Sequence, residues 1–295
     1  MALGLAACAL SGCGLLPRTA VVPMPVLAPP GACSAAAGRI APVLVVMLPG
    51  AYSLPPEFVD EGFVALLRQQ GVDVDVQIVD SHLGYFSNGS ALSRLRDDVI
   101  APARARGYQQ IWLVGISLGG YGSLAYAAVH GNDPRVGIDG VVAIAPYLGG
   151  RRLLADIQDA GGPVAWAATK PPVVDDRVPS MAKGGASDDA GREVWRWLVA
   201  HAAGDRTKAL PVYLGFGTED RLAEGHRLLA GVLPQSRVDR APGGHDWPPW
   251  RDLWQQWLVR DLLPRAPAGD CRAATAASAA TVPPGSAAAP AVPLR

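Results

Sequence analysis

Lysine is almost absent from this chain of 295 residues, in which it occurs only as Lys170, Lys183 and Lys208. Arginine and lysine together number 26, aspartate and glutamate also number 26, and no stretch of the chain is markedly basic. Proteins that bind nucleic acids need clustered positive charge to neutralise phosphates. The composition therefore argues against a nucleic-acid partner.

Charged residues as a whole are few, at 18%, whereas hydrophobic residues reach 49%. This hydrophobic fraction is sufficient for a sizeable core and excludes a chain that is disordered throughout. Cysteine is scarce, with Cys8 and Cys13 near the start and Cys33 and Cys271 on either side of the central region. Because Cys33 and Cys271 have neither a neighbouring histidine nor C-x-x-C spacing, we expect no metal or redox site at either of them.

The first 12 residues form a short apolar stretch, rich in small side chains, that ends at Cys13. A bilayer-spanning helix needs about 20 residues, so the stretch is too short to cross a membrane and instead fits a secretory signal. Residues 10–13, Leu-Ser-Gly-Cys, resemble a bacterial lipobox, in which the cysteine is lipidated and becomes the mature N-terminus. Residues 5–8 fit the same pattern with almost no apolar region before them, and a merely apolar N-terminus is the other interpretation.

Lipidation at Cys13 would attach the protein to a membrane through the lipid anchor alone. The protein would then lie in the cell envelope of a Gram-negative bacterium and face the periplasm. Gly14 rather than Asp follows the cysteine, which resembles lipoproteins of the outer membrane. In an oxidising periplasm we expect a disulfide between Cys33 and Cys271 that ties the two ends of the domain together, with two free thiols as the alternative.

The pattern of the remaining chain predicts one domain, residues 40–264, of class α/β. Residues 13–39 are rich in Pro and Ala and are interpreted as a linker, and residues 265–295 as a disordered Ala/Pro-rich tail. Predicted strands cover 42–48, 72–79, 110–116, 140–145, 210–216 and 237–241, and predicted helices cover 57–70, 90–106, 118–129, 221–229 and a segment from about 248. This alternation predicts a mostly parallel central sheet with helices on both faces.

Two segments refine this prediction. Trp247, Trp250, Trp254 and Trp257 fall on one face of the last predicted helix, which indicates packing against the sheet rather than a ligand cage. Residues 149–205 break the alternation with Gly-Gly-Pro, Pro-Pro and Gly-Gly sequences and a short Trp-rich helix around 193–200. Because an insertion of this length is usually functional when it is not a linker, we expect a cap over a site.

The most informative motif is Gly-Ile-Ser-Leu-Gly at residues 115–119, which directly follows an apolar strand and opens a helix. This is the strand–turn–helix context of a G-x-S-x-G elbow, in which small residues flank a strained serine and expose its Oγ at the edge of the sheet. Ser117 is therefore the candidate nucleophile, and the N–H of Leu118 faces developing negative charge. An ordinary glycine-rich turn is the alternative.

A serine needs a base, and the base needs a third group that orients it. His245 lies in a glycine-rich loop after the last short strand, and Asp220 lies in the loop after the strand 210–216. The order Ser117, Asp220, His245 is that of an α/β-hydrolase triad. Glu219 is the competing acid, whereas Asp246 is too close in sequence to His245 to orient it easily.

The loop after the first predicted strand is expected to supply a second donor to an oxyanion. Gly50 in this loop permits close approach, which makes the Ala51 N–H the candidate donor and Tyr52 a candidate contact for substrate. In the expected cap, Trp166 is a plausible apolar wall of the substrate site.

Residues 43–263 resemble a serine esterase of the α/β-hydrolase fold. The nucleophile segment, Gly-Ile-Ser-Leu-Gly-Gly at 115–120, is similar to that of the superfamily, and Gly-Gly-His-Asp-Trp at 243–247 is similar to the histidine segment of its esterase-D-like and enterochelin-esterase-like branch. The histidine that usually precedes the oxyanion glycine is Pro49 here. The resemblance implies hydrolysis of carboxylic esters through an acyl-enzyme, with a small-molecule ester as substrate and without a metal or cofactor.

Two other functions stay open from the sequence. A thioesterase or an acyltransferase would use the same three residues with a different bond or acceptor. A catalytically silent envelope lipoprotein would use the fold to bind a ligand or partner, and loss of a triad residue would be its signature.

Overall fold

The computed structural model describes residues 18–29, 41–169, 185–204 and 209–265, with side chains in the helix after the second gap described from 189 onward. The signal, Cys13, Cys33, Cys271 and nearly the whole predicted tail lie outside the described residues. The predictions of lipidation and of a disulfide therefore stay predictions.

Among the described residues, seven strands form one sheet: β1 Val26–Leu27, β2 Val43–Leu48, β3 Val74–Val79, β4 Gln110–Ile116, β5 Gly140–Ile144, β6 Val212–Gly217 and β7 Val238–Ala241. Their order across the sheet is β1-β3-β2-β4-β5-β6-β7. Strands β2 to β7 are parallel to one another, and β1 pairs antiparallel with β3. Buried, continuous apolar strands of this kind are typical of a parallel sheet with both faces covered, and the predicted fold class is confirmed.

From β2 onward, the described helices lie between successive strands and after β7. They are α1 Glu57–Asp60, α2 Phe63–Gln69, α3 Leu83–Ser87, α4 Ala91–Leu95, α5 Ala101–Ala105, α6 Leu118–His130, α7 Arg151–Asp159, α8 Pro163–Ala168, α9 Gly185–Ala203, α10 Ala223–Ala230 and α11 Trp247–Val259. A π-helical turn at Arg96–Ile100 joins α4 to α5. The predicted helix 57–70 is two helices, because Gly62 has a φ of 85° and interrupts the hydrogen-bonding pattern.

The two faces of the sheet carry separate cores, as the alternation of β2 shows. Val43, Val45 and Met47 pack with α1, α2 and α11, whereas Leu44, Val46 and Leu48 pack with the helices on the opposite face. Every residue of β2 is buried. Each strand in the centre of the sheet thus contributes apolar area to both layers, which is the main source of stability in such a fold.

The tryptophan stripe of α11 packs against the sheet, as its spacing predicts. Trp250, Trp254 and Trp257 are 5%, 0% and 1% exposed, and Trp247 is partly buried against the same cluster. The indole N–H of Trp254 donates to the Phe63 carbonyl at 3.1 Å and ties α11 to α2.

Residues 18–29 correct the prediction of a linker over 13–39. Met24 is buried, and its N–H donates to Asp98 at 2.8 Å. The Arg18 guanidinium binds both oxygens of Asp80 at 2.8 Å, and the Tyr85 hydroxyl donates to the Val21 carbonyl at 2.8 Å. This part of the Pro/Ala-rich segment is therefore an ordered strap that ends in β1.

The insertion at 149–205 contains α7, α8 and α9, and the short helix predicted around 193–200 is part of the longer α9. Leu153, Ile157 and Trp195 are fully buried, and the Trp195 indole donates to the Leu148 carbonyl at 2.8 Å. The insertion thus shares the core of one face of the sheet, while its function as a cap stays a prediction. Within the described part of the chain, no helix combines the length and the apolar character that crossing a membrane requires.

Candidate active site

The nucleophile elbow follows β4, where Ser117 has φ 52° and ψ −112°. A non-glycine residue rarely adopts a positive φ, and such strain persists only where the surroundings enforce it. The Ser117 N–H donates to the Ile144 carbonyl at 3.0 Å, and the Ser117 carbonyl accepts from the Tyr147 N–H at 2.9 Å. Both backbone groups of the serine are therefore held by the segment that ends β5.

Glycine is required on both sides of this serine. A Cβ at Gly115 would lie closer than 3.0 Å to the Gly119 carbonyl, and a Cβ at Gly119 would lie closer than 3.0 Å to the carbonyls of Leu48 and Pro49. The turn is consequently tight enough to pack α6 directly against the end of β2.

His245 reaches this serine from the loop after β7. Its Nε2 lies 3.0 Å from the Ser117 Oγ, and its ring makes an edge-to-face contact with Trp250 at 5.0 Å between ring centres. Gly243, with a φ of 118°, allows the loop to bend. Asp246 does not orient His245, because its carboxylate caps α11 by accepting from the Trp247 N–H at 2.8 Å.

Asp220 completes the hydrogen-bonded chain. Its oxygens lie 3.0 and 2.8 Å from the Nδ1 of His245, and its side chain is fully buried. Burial alone would raise the pKa of Asp220, but the hydrogen bonds from His245 and from the Leu222 N–H outweigh burial and hold the pKa below its usual range. The carboxylate therefore stays ionised beside the imidazole. Glu219 is exposed, so the structure brings Asp220 rather than Glu219 to His245.

The loops that carry Asp220 and His245 fix each other. The Thr218 N–H donates to the Ala241 carbonyl, and the Glu219 N–H donates to the Gly243 carbonyl, each at 2.9 Å. A Cβ at Gly217 would lie closer than 3.0 Å to the carbonyl of Gly243. The relative position of Asp220 and His245 is thus fixed by backbone contacts between their loops as well as by the hydrogen bonds of their side chains.

The two candidate oxyanion donors come from neighbouring strands at the same edge of the sheet. Leu118 is the first residue of α6, so its N–H has no acceptor within the helix. In the loop after β2, a Cβ on Gly50 would lie 3.6 Å from the Ser117 Cβ. Gly50, which directly precedes Ala51, therefore packs against the serine. Tyr52, one residue further on, is 85% exposed.

Trp166 lies on α8 within the insertion, and its expected part in the substrate site stays a prediction. It is buried, with the guanidinium of Arg196 5.2 Å and that of Arg192 5.8 Å from its ring centre. It lines a cavity of about 330 Å³ between α7, α8 and α9, and none of the three candidate catalytic residues lines that cavity.

The short, polar sequence of α10 favours a surface position for His226, but the structure buries this residue. It is 0% exposed, and its Nε2 lies 2.9 Å from the Pro146 carbonyl. The signal for this burial is the spacing of Ala223, His226, Leu229 and Ala230, which share one face of α10.

Two further histidines have structural partners. The Nδ1 of His82 accepts from the Gly84 N–H at 3.1 Å, and the Nε2 of His201 bonds to the Leu210 carbonyl at 2.8 Å. Within the residues that the structure describes, no three His, Cys, Asp or Glu side chains are grouped so as to hold a metal ion, and the expectation of a reaction without metal or cofactor stays a prediction.

The parallel sheet, the strained serine after β4 and the loops at its carboxyl edge define an α/β-hydrolase fold. Comparison with solved structures agrees. FphF of Staphylococcus aureus, described as a fluorophosphonate-binding serine hydrolase, matches with a TM-score of 0.54 and 13% identity over 77% of this chain and 86% of its own.

Two other solved structures are similar to the chain. Est1E from Butyrivibrio proteoclasticus has a TM-score of 0.50 and 14% identity, over 83% of this chain and 96% of its own. MPT51 (FbpC1) of Mycobacterium tuberculosis has a TM-score of 0.50 and 16% identity, over 80% and 91%. No protein-family model and no curated protein matches the sequence. At such identities the similarity establishes the fold.

Proposed function

We propose that this protein is a serine hydrolase that cleaves carboxylic esters. The observation that carries the proposal is the unbroken hydrogen-bonded chain from Ser117 through His245 to Asp220, with distances of 3.0 Å and 2.8 Å. This chain joins a nucleophile to a base and the base to a buried, ionised group that orients it, which is the arrangement that nucleophilic catalysis by serine needs.

In the proposed reaction the Ser117 Oγ attacks the ester carbonyl carbon while the His245 Nε2 removes the hydroxyl proton. The N–H groups of Leu118 and Ala51 stabilise the negative charge on the carbonyl oxygen of the tetrahedral intermediate. His245 then protonates the leaving alcohol, and the acyl group remains on Ser117. Water, activated by the same imidazole, releases the acid and restores the serine.

Asp220 has two parts in this scheme. Its ionised oxygens accept the Nδ1 proton, which leaves the Nε2 lone pair directed at Ser117, and its negative charge stabilises the imidazolium that forms during attack. The low pKa of Asp220 supports this role, because a protonated acid would lose the charge that favours proton transfer.

The substrate that this site supports best is a small ester with an apolar portion. The aromatic ring of Tyr52 is available beside the candidate oxyanion loop, since the residue is 85% exposed. The formal net charge of zero gives no long-range attraction for strongly charged substrates.

The proposal is tested by the release of p-nitrophenol from a series of p-nitrophenyl esters of increasing acyl length. We expect turnover by the wild-type protein and background rates for Ser117→Ala and for His245→Ala. His201→Ala is the matched control, because the Nε2 of His201 bonds to the Leu210 carbonyl rather than to Ser117. Equal turnover by the wild-type and Ser117→Ala proteins would overturn the proposal, and pairing each oxyester with its thioester separates an esterase from a thioesterase.

We also propose that Cys13 carries a lipid that attaches the protein to the envelope on its periplasmic side. The sequence at residues 10–13 supports this, and only four residues, 14–17, separate Cys13 from Arg18 at the start of the ordered strap. Cys13→Ser should move the protein from the membrane fraction to the soluble fraction, whereas Cys8→Ser should not. Unchanged membrane association of Cys13→Ser would contradict the anchor.

A further inference from the structure

His226 is a fully buried histidine that the proposed reaction does not use. Its Nε2 lies 2.9 Å from the Pro146 carbonyl, its Nδ1 has no hydrogen-bond partner among the described residues, and its ring lies 5.0 Å from that of Phe216. A carbonyl oxygen only accepts hydrogen bonds, so Nε2 carries the proton, and Nδ1 is left without one. The ring is therefore held as one neutral tautomer.

The carbonyl that His226 binds belongs to the segment that holds the nucleophile. Ile144 accepts from the Ser117 N–H at 3.0 Å, and the Tyr147 N–H donates to the Ser117 carbonyl at 2.9 Å. Between these two contacts, Ala145 has a φ of 46°, a left-handed conformation that residues with a Cβ rarely adopt. We call residues 144–147 the serine clamp. Pro146 lies inside the clamp and contributes no N–H, so its carbonyl is its polar backbone group, while the neighbouring Ala145 N–H donates to the Gly215 carbonyl of β6 at 2.7 Å.

The helix that carries His226 starts at the candidate acid. The Leu222 N–H donates to the Asp220 carboxylate at 2.7 Å, and the Ala223 N–H donates to the Asp220 carbonyl at 2.9 Å. His226 lies one turn later on α10. The same short helix is therefore bonded to the acid at its start and, through His226, to the serine clamp.

We propose that His226 is a positioning residue, which fixes the serine clamp relative to the Asp220 loop through the hydrogen bond from its Nε2–H to the Pro146 carbonyl. The inference rests on the proposed function of Ser117, His245 and Asp220. Its consequence is that loss of this one bond slows acylation of Ser117 without weakening substrate binding, because the geometry between nucleophile and base changes while the substrate contacts do not.

Burial agrees with this assignment. Desolvation lowers the pKa of His226 to about 4, so the imidazole is neutral at pH 7 and can serve as a fixed donor rather than as a second base. The Asp220 charge opposes this shift and His245 adds to it, as expected for a ring close to both.

The experiment compares His226→Gln with His226→Asn, two amides that differ by one methylene. The glutamine nitrogen extends to about the position of Nε2 and can donate to the Pro146 carbonyl, whereas the asparagine nitrogen extends only to that of Nδ1. We measure kcat and KM for p-nitrophenyl acetate and the rate constant for labelling of Ser117 by a fluorophosphonate probe. We expect His226→Asn to lower kcat and the labelling rate by about tenfold or more with KM within about twofold, and His226→Gln to stay within about threefold of wild type.

The same pair at His201 is the control, because its Nε2 bonds to the Leu210 carbonyl at 2.8 Å at the end of α9. Neither His201 variant should change the labelling rate. If His226→Asn does not fold, His226→Met, which fills the apolar space without a donor, replaces it in the comparison.

Equal kinetics for the glutamine variant and its donor-free counterpart, whether both are active or both are slow, would overturn the positioning role while leaving the proposed function intact. A wild-type protein that is neither labelled at Ser117 nor active on the ester would instead overturn the proposed function, and the role of His226 with it.

Discussion

Asp220→Asn replaces the buried carboxylate beside His245 with an amide of nearly the same shape. The carboxylate now accepts from Nδ1 at 2.8 and 3.0 Å, and it also accepts from the Leu222 N–H at 2.7 Å. The amide oxygen can keep the bond from Leu222, so the loop should keep its structure. The amide nitrogen then faces Nδ1 as a donor and favours the tautomer that carries its proton on Nε2.

That tautomer directs a proton, rather than a lone pair, at the Ser117 Oγ 3.0 Å away, so the imidazole no longer acts as a base. The same exchange in serine proteases lowers kcat by about 10⁴-fold, which corresponds to about 5.4 kcal/mol of activation free energy. We expect a loss of this order in kcat on p-nitrophenyl acetate, with KM within about threefold of wild type, since substrate binding is untouched.

Glu219→Gln is the matched control, because Glu219 is an exposed acid next to Asp220. This variant should retain wild-type activity. Activity of Asp220→Asn within about tenfold of wild type, or a large loss in Glu219→Gln, would refute the assignment of the acid. Melting temperatures of both variants show whether any loss of activity arises from unfolding.

Three further predictions concern stability. Gly119→Ala should lower both activity and melting temperature, because its Cβ would lie closer than 3.0 Å to the Leu48 carbonyl, whereas at Gly204 nothing lies nearer than 3.4 Å and Gly204→Ala should be tolerated. Trp254→Ala should lower the free energy of unfolding by about 3–5 kcal/mol, since it empties a fully buried site, as urea titration can show. Between the ordinary histidine pKa of 6.5 and about 4, the unfolded chain binds a proton that folded, neutral His226 does not. The contribution of His226 to the free energy of unfolding is thus fully present above pH 6.5. As the pH is lowered from 6.5 towards 4, this contribution decreases by up to about 1.4 kcal/mol per pH unit. Denaturant titrations should show a smaller loss between pH 6.5 and 4 for His226→Gln, and equal losses would contradict neutral burial.

The candidate catalytic residues could be predicted because their signals are local. The elbow needs small residues beside Ser117 directly after an apolar strand, and the histidine loop needs glycines after the last strand, so both are readable from a few neighbouring residues. Asp220 follows from chain order and from its place after β6. The distances that join the three residues depend on the packing of β4, β6 and β7 and are supplied by the structure alone.

The strap at residues 18–29 shows where sequence patterns fail. Its two-residue strand is too short for any periodicity, and its partners, Asp80 and Asp98, lie more than 60 residues further along the chain. Pro and Ala composition describes the lack of regular structure, but it does not reveal side chains that pair with a distant surface.

The burial of a single polar residue is also hard to predict from sequence. The polar neighbours Glu224 and Arg227 hide the fact that His226 lies on the apolar face of α10, which emerges only when the helix is projected along its axis. The contacts of Trp166 with the guanidiniums of Arg192 and Arg196 are equally hard to predict, because both arginines lie on α9, too far along the chain for local reasoning.

The most direct test of the central claim, that Ser117 is a nucleophile activated by His245, is to locate a fluorophosphonate adduct by mass spectrometry. We expect one adduct on the peptide that contains Ser117 in the wild-type protein at pH 7, with labelling greatly slowed in His245→Ala and absent in Ser117→Ala. An unlabelled wild-type protein, or an adduct that persists in Ser117→Ala, would contradict it.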